Sequence, residues 1–553
     1  MAITDYIQKT GNGTEYVAGI EYTHPEYDRY ALLWEKARDI LEGEDELKKK
    51  SKREKYLTRL SGHTYTAKGN ASYNAFVNYA MLYNATGRTV EAYRGLLNRK
   101  LPIITVPVIL EDLLSHFTIK DESIYTFIEQ VEVELITTNR VGIFIDYPRV
   151  DSESMSRAEV TSKNLLPYAT IYSAENIINW EESRINNKLV TSTVVLREIN
   201  YVRTTSFAPQ RQVTYRVLEL DENGYYRQVI IQPVSTQESL GSIGVIRNVI
   251  QDIVYPKKDG KYMTEIPFIP VTAQGITWEL SKSVISDLIN VNLAHYRDTA
   301  FYEKAIAWTA SPTAVFSGIP DEEETIALGS SDAIIIPMGG TAKYLEYAGQ
   351  GIDAIANALT AKEQLMAILG AKILANTISS VESGEAAMIH RAGEQGILAD
   401  IATTVGGAIE KAIRFIANWR GDTVADHEVQ VEITKDYTPT IIDANTIIAL
   451  SKELDNGHIS YESYMWALQR GELLPESRTS EQERALIDKT REGTLISAKA
   501  KLAYLDKNQA SNILGRDEEL IKIEKKEQPS TEDKVEKKEQ LSLEDKIEKK
   551  EVK

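Results

Sequence analysis

Ile266-Pro-Phe-Ile-Pro270 opens the stretch that decides the architecture. Trp278–Trp308 follows without a proline or glycine, then come Ala333-Ile-Ile-Ile-Pro-Met-Gly-Gly340 and Ala342-Lys-Tyr-Leu-Glu346. Ile352–Ile378 resumes a helical pattern, which Ser379-Ser-Val-Glu-Ser-Gly384 interrupts before a third long helical run toward Trp419. Length on both sides, and the absence of breakers in Trp278–Trp308, argue for helices, while the short apolar runs between turn residues argue for strands in the insert Ser311–Gly351. Two helices bracketing a small β module, with a flexible loop behind the second, suit the lining of a ring better than they suit chemistry.

N-terminal to this stretch the period of the apolar residues changes twice. Up to about residue 100 the chain reads helical: Leu33, Trp34, Ala37, Ile40 and Leu41 share a face, and Tyr73, Phe76, Val77, Ala80 and Tyr83 recur at helical spacing over Tyr73–Leu96. That aromatic stripe is read as core or subunit packing rather than as a base-stacking platform. A basic cluster, Lys48-Lys-Lys-Ser-Lys-Arg-Glu-Lys55, lies between them. From about 101 to 275 the pattern is that of strands. Val131–Ile136 and Val141–Tyr147 read as a pair joined by Thr137-Thr-Asn-Arg140, followed by strands at Ala169–Tyr172, Thr191–Tyr201, Arg211–Leu220 and Tyr225–Gln232. Asp221-Glu-Asn-Gly224 is a hairpin turn, because Asn-Gly readily supplies positive φ. The expectation is an α+β fold with an antiparallel meander.

C-terminal to the stretch, Glu428–Thr434 reads as a short strand and Ile441–Leu514 as helical, with Ser460 as the N-cap of Tyr461–Arg470. This resembles a helix-turn-helix pair, but Arg470 is the second helix's single basic residue, so packing is the preferred reading. From about Asp517, Ile523-Glu-Lys-Lys-Glu, Val535-Glu-Lys-Lys-Glu and Ile547-Glu-Lys-Lys-Glu recur with too few apolar residues to build a core. The segment 515–553 is expected to be a disordered charged tail.

Composition narrows the function. At 553 residues, 42% hydrophobic and 26% charged, the chain can fold into several cores. With no cysteine, disulfides, thiolate nucleophiles and Cys-ligated zinc are excluded. The seven histidines, His24, His63, His116, His295, His390, His427 and His458, show no paired metal-ligand spacing, and no metal is expected. No apolar run approaches the roughly 18 residues of a membrane span, and Met1-Ala-Ile-Thr-Asp-Tyr6 lacks a signal-peptide pattern, so a cytosolic product without membrane contact is expected. A net charge of −18 argues against a surface that grips nucleic acid throughout, though not against an acidic passage that keeps DNA from sticking.

Nothing in the sequence announces catalysis. There is no phosphate-binding loop, no dinucleotide turn and no nucleophile elbow; Gly339-Gly340 with Lys343 is a turn. The carboxylates Glu132/Glu134 and Glu322–Glu324 fall on an expected strand and an exposed loop, and no residue isolates one of them as a raised-pKa acid would require. Glu385, His390, Arg391 and Glu394 share a helix and read as surface pairs. No catalytic residue, cofactor or metal ligand is assigned, and the protein is expected not to be an enzyme.

Taken in order, several segments resemble the portal proteins of tailed bacteriophages, the head-to-tail connectors. Ile266–Val271 resembles the entry into the portal stem. Pro312–Gly318, Leu328-Gly329 and Ile335–Gly340 with Tyr344–Glu346 look like the clip, and Gly384–Glu394 looks like the helix behind the tunnel loop. Ile447–Leu474 is similar to the C-terminal helices. The resemblance spans roughly residues 20–490, lies in the ordering rather than in any signature, and is nearest to a portal-like family often left as a domain of unknown function.

The resemblance implies a wing (1–275, helical and then sheet-rich from about 101), a first stem helix (276–310), a clip (311–351) and a second stem helix (352–375). A tunnel loop (376–386), a helix and strand returning to the wing (387–440), a helical crown (441–514) and the tail complete it. It implies a homo-oligomeric ring, commonly of twelve, in the virion at one capsid vertex. Double-stranded DNA would pass through the ring without sequence specificity, and the major capsid protein, the terminase motor and a head–tail adaptor would be its partners. Its functions would be genome packaging, head–tail joining and DNA ejection. Channel candidates under this resemblance are Lys362, Lys372, Asn376, Thr377, Ser379, Ser380, Glu382 and Ser383. Lys362 and Lys372, ten residues apart, fall about 80° out of alignment on a helix, so at most one faces the lumen. The clip carries six acids against one base, Lys343, and Asp321, Glu322, Glu323, Glu324 and Lys343 are candidates for docking a motor or adaptor. The alternatives are a virion assembly component without a channel, such as an adaptor or minor capsid protein, and an enzyme with dispersed carboxylates.

Overall fold

A computed structural model describes residues 7–9, 15–148, 165–185, 187–203, 206–236, 245–258, 260–310, 313–317, 339–345, 351–370, 384–435, 437, 444–471, 473–475 and 478–490. The chain divides into two compact units, Met1–Tyr437 and Thr438–Lys553. The first is a mixed helix-and-sheet body, as the α+β reading expects.

Its N-terminal elements are strands β1 (Ile7–Lys9) and β2 (Glu15–Val17), helices α1 (Pro25–Glu42), α2 (Glu44–Lys48), α3 (Arg53–Tyr56), α4 (Ala67–Tyr79) and α5 (Ala85–Leu97), and strand β3 (Ile103–Thr105). Proline at the first position of α1, the His24 side chain accepting from the Glu26 N–H and the acids Glu26 and Asp28 in the first turn all favour helix initiation there. Trp34, Ala37 and Ile40 are buried, as the helical stripe predicts. The expected single helix from Tyr73 to Leu96 is two. Asn84 caps α5 by accepting from Gly87, and the extended residues between α4 and α5 leave Tyr83 half out in solvent while Tyr73, Phe76, Val77 and Ala80 are buried.

Next come helix α6 (Ile124–Thr138) and strands β4 (Val141–Asp146), β5 (Tyr168–Ser173), β6 (Ile177–Ile185), β7 (Lys188–Arg203), β8 (Pro209–Leu220), β9 (Tyr226–Thr236), β10 (Val245–Val254), β11 (Lys257–Lys258), β12 (Lys261–Tyr262) and β13 (Phe268–Val271). Here one expectation is corrected: Val131–Ile136 is helical. The local alternation of valine and glutamate imitates a strand. The wider spacing Ile124, Phe127, Ile128, Val131, Leu135 is that of a buried helix, capped by Ser123 and ended by Asn139 in the left-handed region at φ 58°. β4 is a strand as read, but its neighbours are β13 and β5, not residues 131–136.

The meander is present. β1, β2, β10, β9, β8, β7 and β6 form one seven-stranded antiparallel sheet in that order. The Asp221–Gly224 turn closes β8 onto β9 with Gly224 at φ 78° and its N–H on the Asp221 carbonyl at 2.9 Å. That is the positive φ that only glycine adopts without strain. The sheet and α1 bury one core around Trp34, Trp180, Leu218 and Trp278; a second, larger core lies around α5, α6 and β4. The Trp34 indole N–H donates to the Thr138 carbonyl at 3.1 Å, joining α1 to the end of α6.

The decisive stretch supplies helix α7 (Ser286–Ala310), strands β14 (Thr313–Ser317) and β15 (Thr341–Leu345), helices α8 (Ile352–Ile368) and α9 (Gly384–Arg420), and strand β16 (Gln430–Glu432), which pairs with β3. The first helix thus starts ten residues later than expected, residues 276–285 being non-helical. The third starts at Gly384, inside the stretch read as a loop to 386. The strand expected at Ala333–Ile336 lies outside the described residues. In the second unit, helices α10 (Ala444–Asp455) and α11 (Tyr461–Arg470) form, and Ser460 caps α11 as read, accepting from Ser463 N–H at 3.1 Å. Residues 491–553, the tail included, lie outside the described residues.

Candidate functional site

The candidate site is the arm formed by α7, the β14–β15 hairpin and α8, together with the helix α9 that returns to the body. Its root is set by Ser283, whose hydroxyl donates to the Ile136 carbonyl at 2.7 Å and accepts from the Ile285 N–H at 3.2 Å. From there Ile285, Ile289, Leu293, Tyr296 and Ala300 recur at helical spacing and are buried.

Beside that apolar stripe runs a polar one facing the extended α4–α5 connection. Asn292 is fully buried; its side-chain oxygen accepts from the Thr86 hydroxyl at 2.8 Å and Thr86 N–H at 3.1 Å, and its amide donates to the Tyr83 carbonyl at 2.7 Å. About two turns further on, Thr299 accepts from the Met81 N–H at 3.0 Å. A buried asparagine with its oxygen and amide both engaged is a register device, since sliding the helix by a residue would strand its donors and acceptors.

Beyond Ala300 no residue of α7 is buried, and in α8 only Leu359 and Met366 are. The arm therefore projects from the body, crossing from one helix to the other through an antiparallel β-hairpin in which Thr313 faces Leu345 and Ser317 faces Thr341. Two polar contacts tie its helices: the Lys362 ammonium to Asp298, and His295 Nε2 to Glu363 Oε1 at 3.3 Å. Met366 packs with Leu288 and Ala85 at the base. Phe301, Ile306, Trp308, Leu365 and Ile368 are exposed large apolar side chains on the two helices.

Helix α9 holds the arm's return. Leu398, Ile401, Val405, Ile409, Ile413 and Ile416 are buried in the larger core. Gly406 lets the helix approach β16 closely: a Cβ there would stand 2.7 Å from the Val431 carbonyl oxygen.

Of the residues singled out in the sequence, Lys362 is placed on α8, where its ammonium pairs with Asp298 of its own chain. Lys343 lies exposed on β15 opposite Val315. Lys372, Asn376, Thr377, Ser379, Ser380, Glu382 and Ser383, and Asp321, Glu322, Glu323 and Glu324, lie outside the described residues. Glu385, His390, Arg391 and Glu394 belong to the helical backbone of α9.

Two charged residues were missed. Glu132 was read as one unexceptional carboxylate on a strand; it is completely buried on α6. Burial pushes its carboxyl up to about 7, against the opposing hydrogen bond from Asn98 at 2.9 Å. Its other oxygen has no partner among the described residues. Reading 124–138 as a helix would have found it, because position 132 falls between Ile128 and Ile136 on the apolar side. Arg140 is equally buried, 4.0 Å from the centre of the Trp180 ring, and loss of hydration lowers it to about 9. Both lie in the body and serve no visible chemistry. Among the described residues no group of three or more His, Asp or Glu could hold a metal ion, and no helix is long and apolar enough to cross a membrane.

Comparison with known proteins places a boundary around the same region. Residues 285–420, from the root of α7 to the end of α9, match a family described as a domain of unknown function, DUF4055. No curated protein matches the chain. Among solved structures, the chain is similar to one from the neck of a native GTA particle computed with C12 symmetry, with a TM-score of 0.34 and 8% identity over 69% of this chain and 89% of that one. It is similar at the same TM-score and coverage, with 9% identity, to one from the virion of a native gene transfer agent particle.

Proposed function

We propose that the chain is the subunit of a portal-type ring, in which copies place their arms side by side around a channel for double-stranded DNA at one capsid vertex. The observation that carries this reading is the arm: a helical pair anchored by buried polar contacts at its root, unburied beyond Ala300, and presenting Ile306, Trp308, Leu365 and Ile368 to solvent, while Phe301 packs on Phe76 of the body. Apolar side chains held out on a rigid projection suit contacts between subunits. A closed ring needs one face of each copy to meet a different face of the next, which two unlike helices supply.

In this reading residues 1–275 with 387–440 form the wing, 276–310 and 352–375 the stem, 311–351 the clip, 376–386 the tunnel loop and 441–514 the crown. The acidic run Asp321–Glu324 and Lys343 meet a packaging motor or head–tail adaptor, and the wing meets the capsid protein. The role is structural and not enzymatic: passage of DNA requires a lumen that does not bind it tightly, and pairing Lys362 with Asp298 removes a cation from the arm. The sequence order noted above supports the same assignment.

The chain contains no cysteine, so a single one can report on neighbours. Trp308→Cys, treated with a flexible bismaleimide, is expected to give a covalent dimer at low protein concentration, each copy's one thiol adding to one maleimide. A single monomer band would contradict the reading.

A further inference from the structure

A groove away from the arm gathers unneutralised positive charge. It lies between the β11–β12 hairpin and the C-terminal turns of α9. It comprises two adjoining cavities of about 450 Å³ and 380 Å³ that share Lys258, Glu265, Phe415 and Asn418. Lys411 lines the first and Lys261 the second. The Lys258 ammonium donates to the Asn418 side-chain oxygen, and the Lys411 ammonium stands 5.6 Å from the centre of the Phe415 ring. Among the described residues none of Lys258, Lys261 and Lys411 forms an ion pair; of the lining carboxylates, Glu265 forms none with them, and Asp422, which lines the first cavity together with Arg414, pairs with Arg420.

Three lysines without an ion-pair partner among the described residues, converging on one concavity, are an unfavourable arrangement that a bound anion would relieve. The size is that of a ligand-binding cleft. The rest of the molecule limits what that anion can be. With a net charge of −18, the chain as a whole repels an extended polyanion such as duplex DNA, whose phosphates would run beyond the groove. A short acidic segment sees only its surroundings, because charges more than about 8 Å away are screened at physiological salt.

We propose that this groove docks an extended acidic peptide segment of a partner protein, carboxylates pairing with Lys258, Lys261 and Lys411 and the backbone passing over Phe415 and Asn418. The proposal does not depend on ring formation. The test uses the full chain and a fluorescein-labelled hexaglutamate peptide, with anisotropy read at low and high salt. A K258E/K261E/K411E variant is compared with K68E/K120E/K188E, which makes the same change in net charge elsewhere on the first unit. The expected result is saturable, salt-sensitive binding that the groove variant weakens by about tenfold or more, three modest ion contacts together amounting to that factor, while the reference variant weakens it less than about twofold. Equal weakening by both variants would overturn the proposal. So would failure of the wild type to bind peptide at low salt, or tighter groove-dependent binding of a 20-base-pair duplex than of the peptide. Should the triple variant not fold, K258Q/K261Q, confined to the hairpin, supports the same comparison.

Discussion

Glu132 is the residue whose physics is most at odds with its surroundings. Its ordinary carboxyl pKa of 4.5 is raised to about 7 by burial, so in the folded chain it keeps a proton that the unfolded chain gives up. The native state then binds more protons than the unfolded state between about pH 4.5 and 7, and stability falls as pH rises through that window, the loss being complete above it. Glu132→Gln removes the titration and keeps an acceptor for Asn98. The variant is expected to match the wild type near pH 4 and to exceed it by about 3–4 kcal/mol at pH 8, from the roughly 1.4 kcal/mol attached to each pKa unit. Urea unfolding at both values checks this; curves separated by the same amount at both would refute it. Asn292 works the other way, with every visible polar contact satisfied. Asn292→Leu strands the Thr86 hydroxyl and the Tyr83 carbonyl, and a loss of about 2–4 kcal/mol is expected in the same assay.

At the scale of elements, the most legible parts were those whose pattern ran long enough to exclude a competitor. The meander of β7, β8 and β9 was readable from alternation and from the Asn-Gly turn. The arm was readable from a long helical run on either side of a short apolar insert. Val131–Ile136 was not, because six residues of alternating valine and glutamate fit a strand as well as a helix buried on nearly all sides. Only the wider spacing from Ile124 to Leu135 and the caps at Ser123 and Asn139 separate the two. The site fared worse than the fold. Glu132 became visible only once its element was known, and the lysine groove joins residues about 150 positions apart in sequence, which no local pattern reports. Gly406 tests the packing of α9 directly. Gly406→Val drives two methyl groups at the Val431 carbonyl and is expected to cost about 2–3 kcal/mol, with faster hydrogen exchange concentrated in β16 and β3. Uniform acceleration across the first unit would show that the contact is not local.

For the whole molecule, the account separates a body with two cores from an arm that gains its full environment only in an assembly. Trp308, 59% exposed, is expected to matter little to one copy and much to many. Trp308→Ala should shift monomer stability by less than about 0.5 kcal/mol while shifting sedimentation toward smaller species. Equal effects on both would place the side chain in the core of a single copy. The central claim is that a hole arises between identical copies where no copy has one. Negative-stain microscopy of the purified chain tests it most directly. The account predicts annular particles with a central opening and a mass of about 740 kDa if twelve copies of the 62.0 kDa chain close the ring. A monomer that persists at high concentration, with no annular particles in the field, would contradict it.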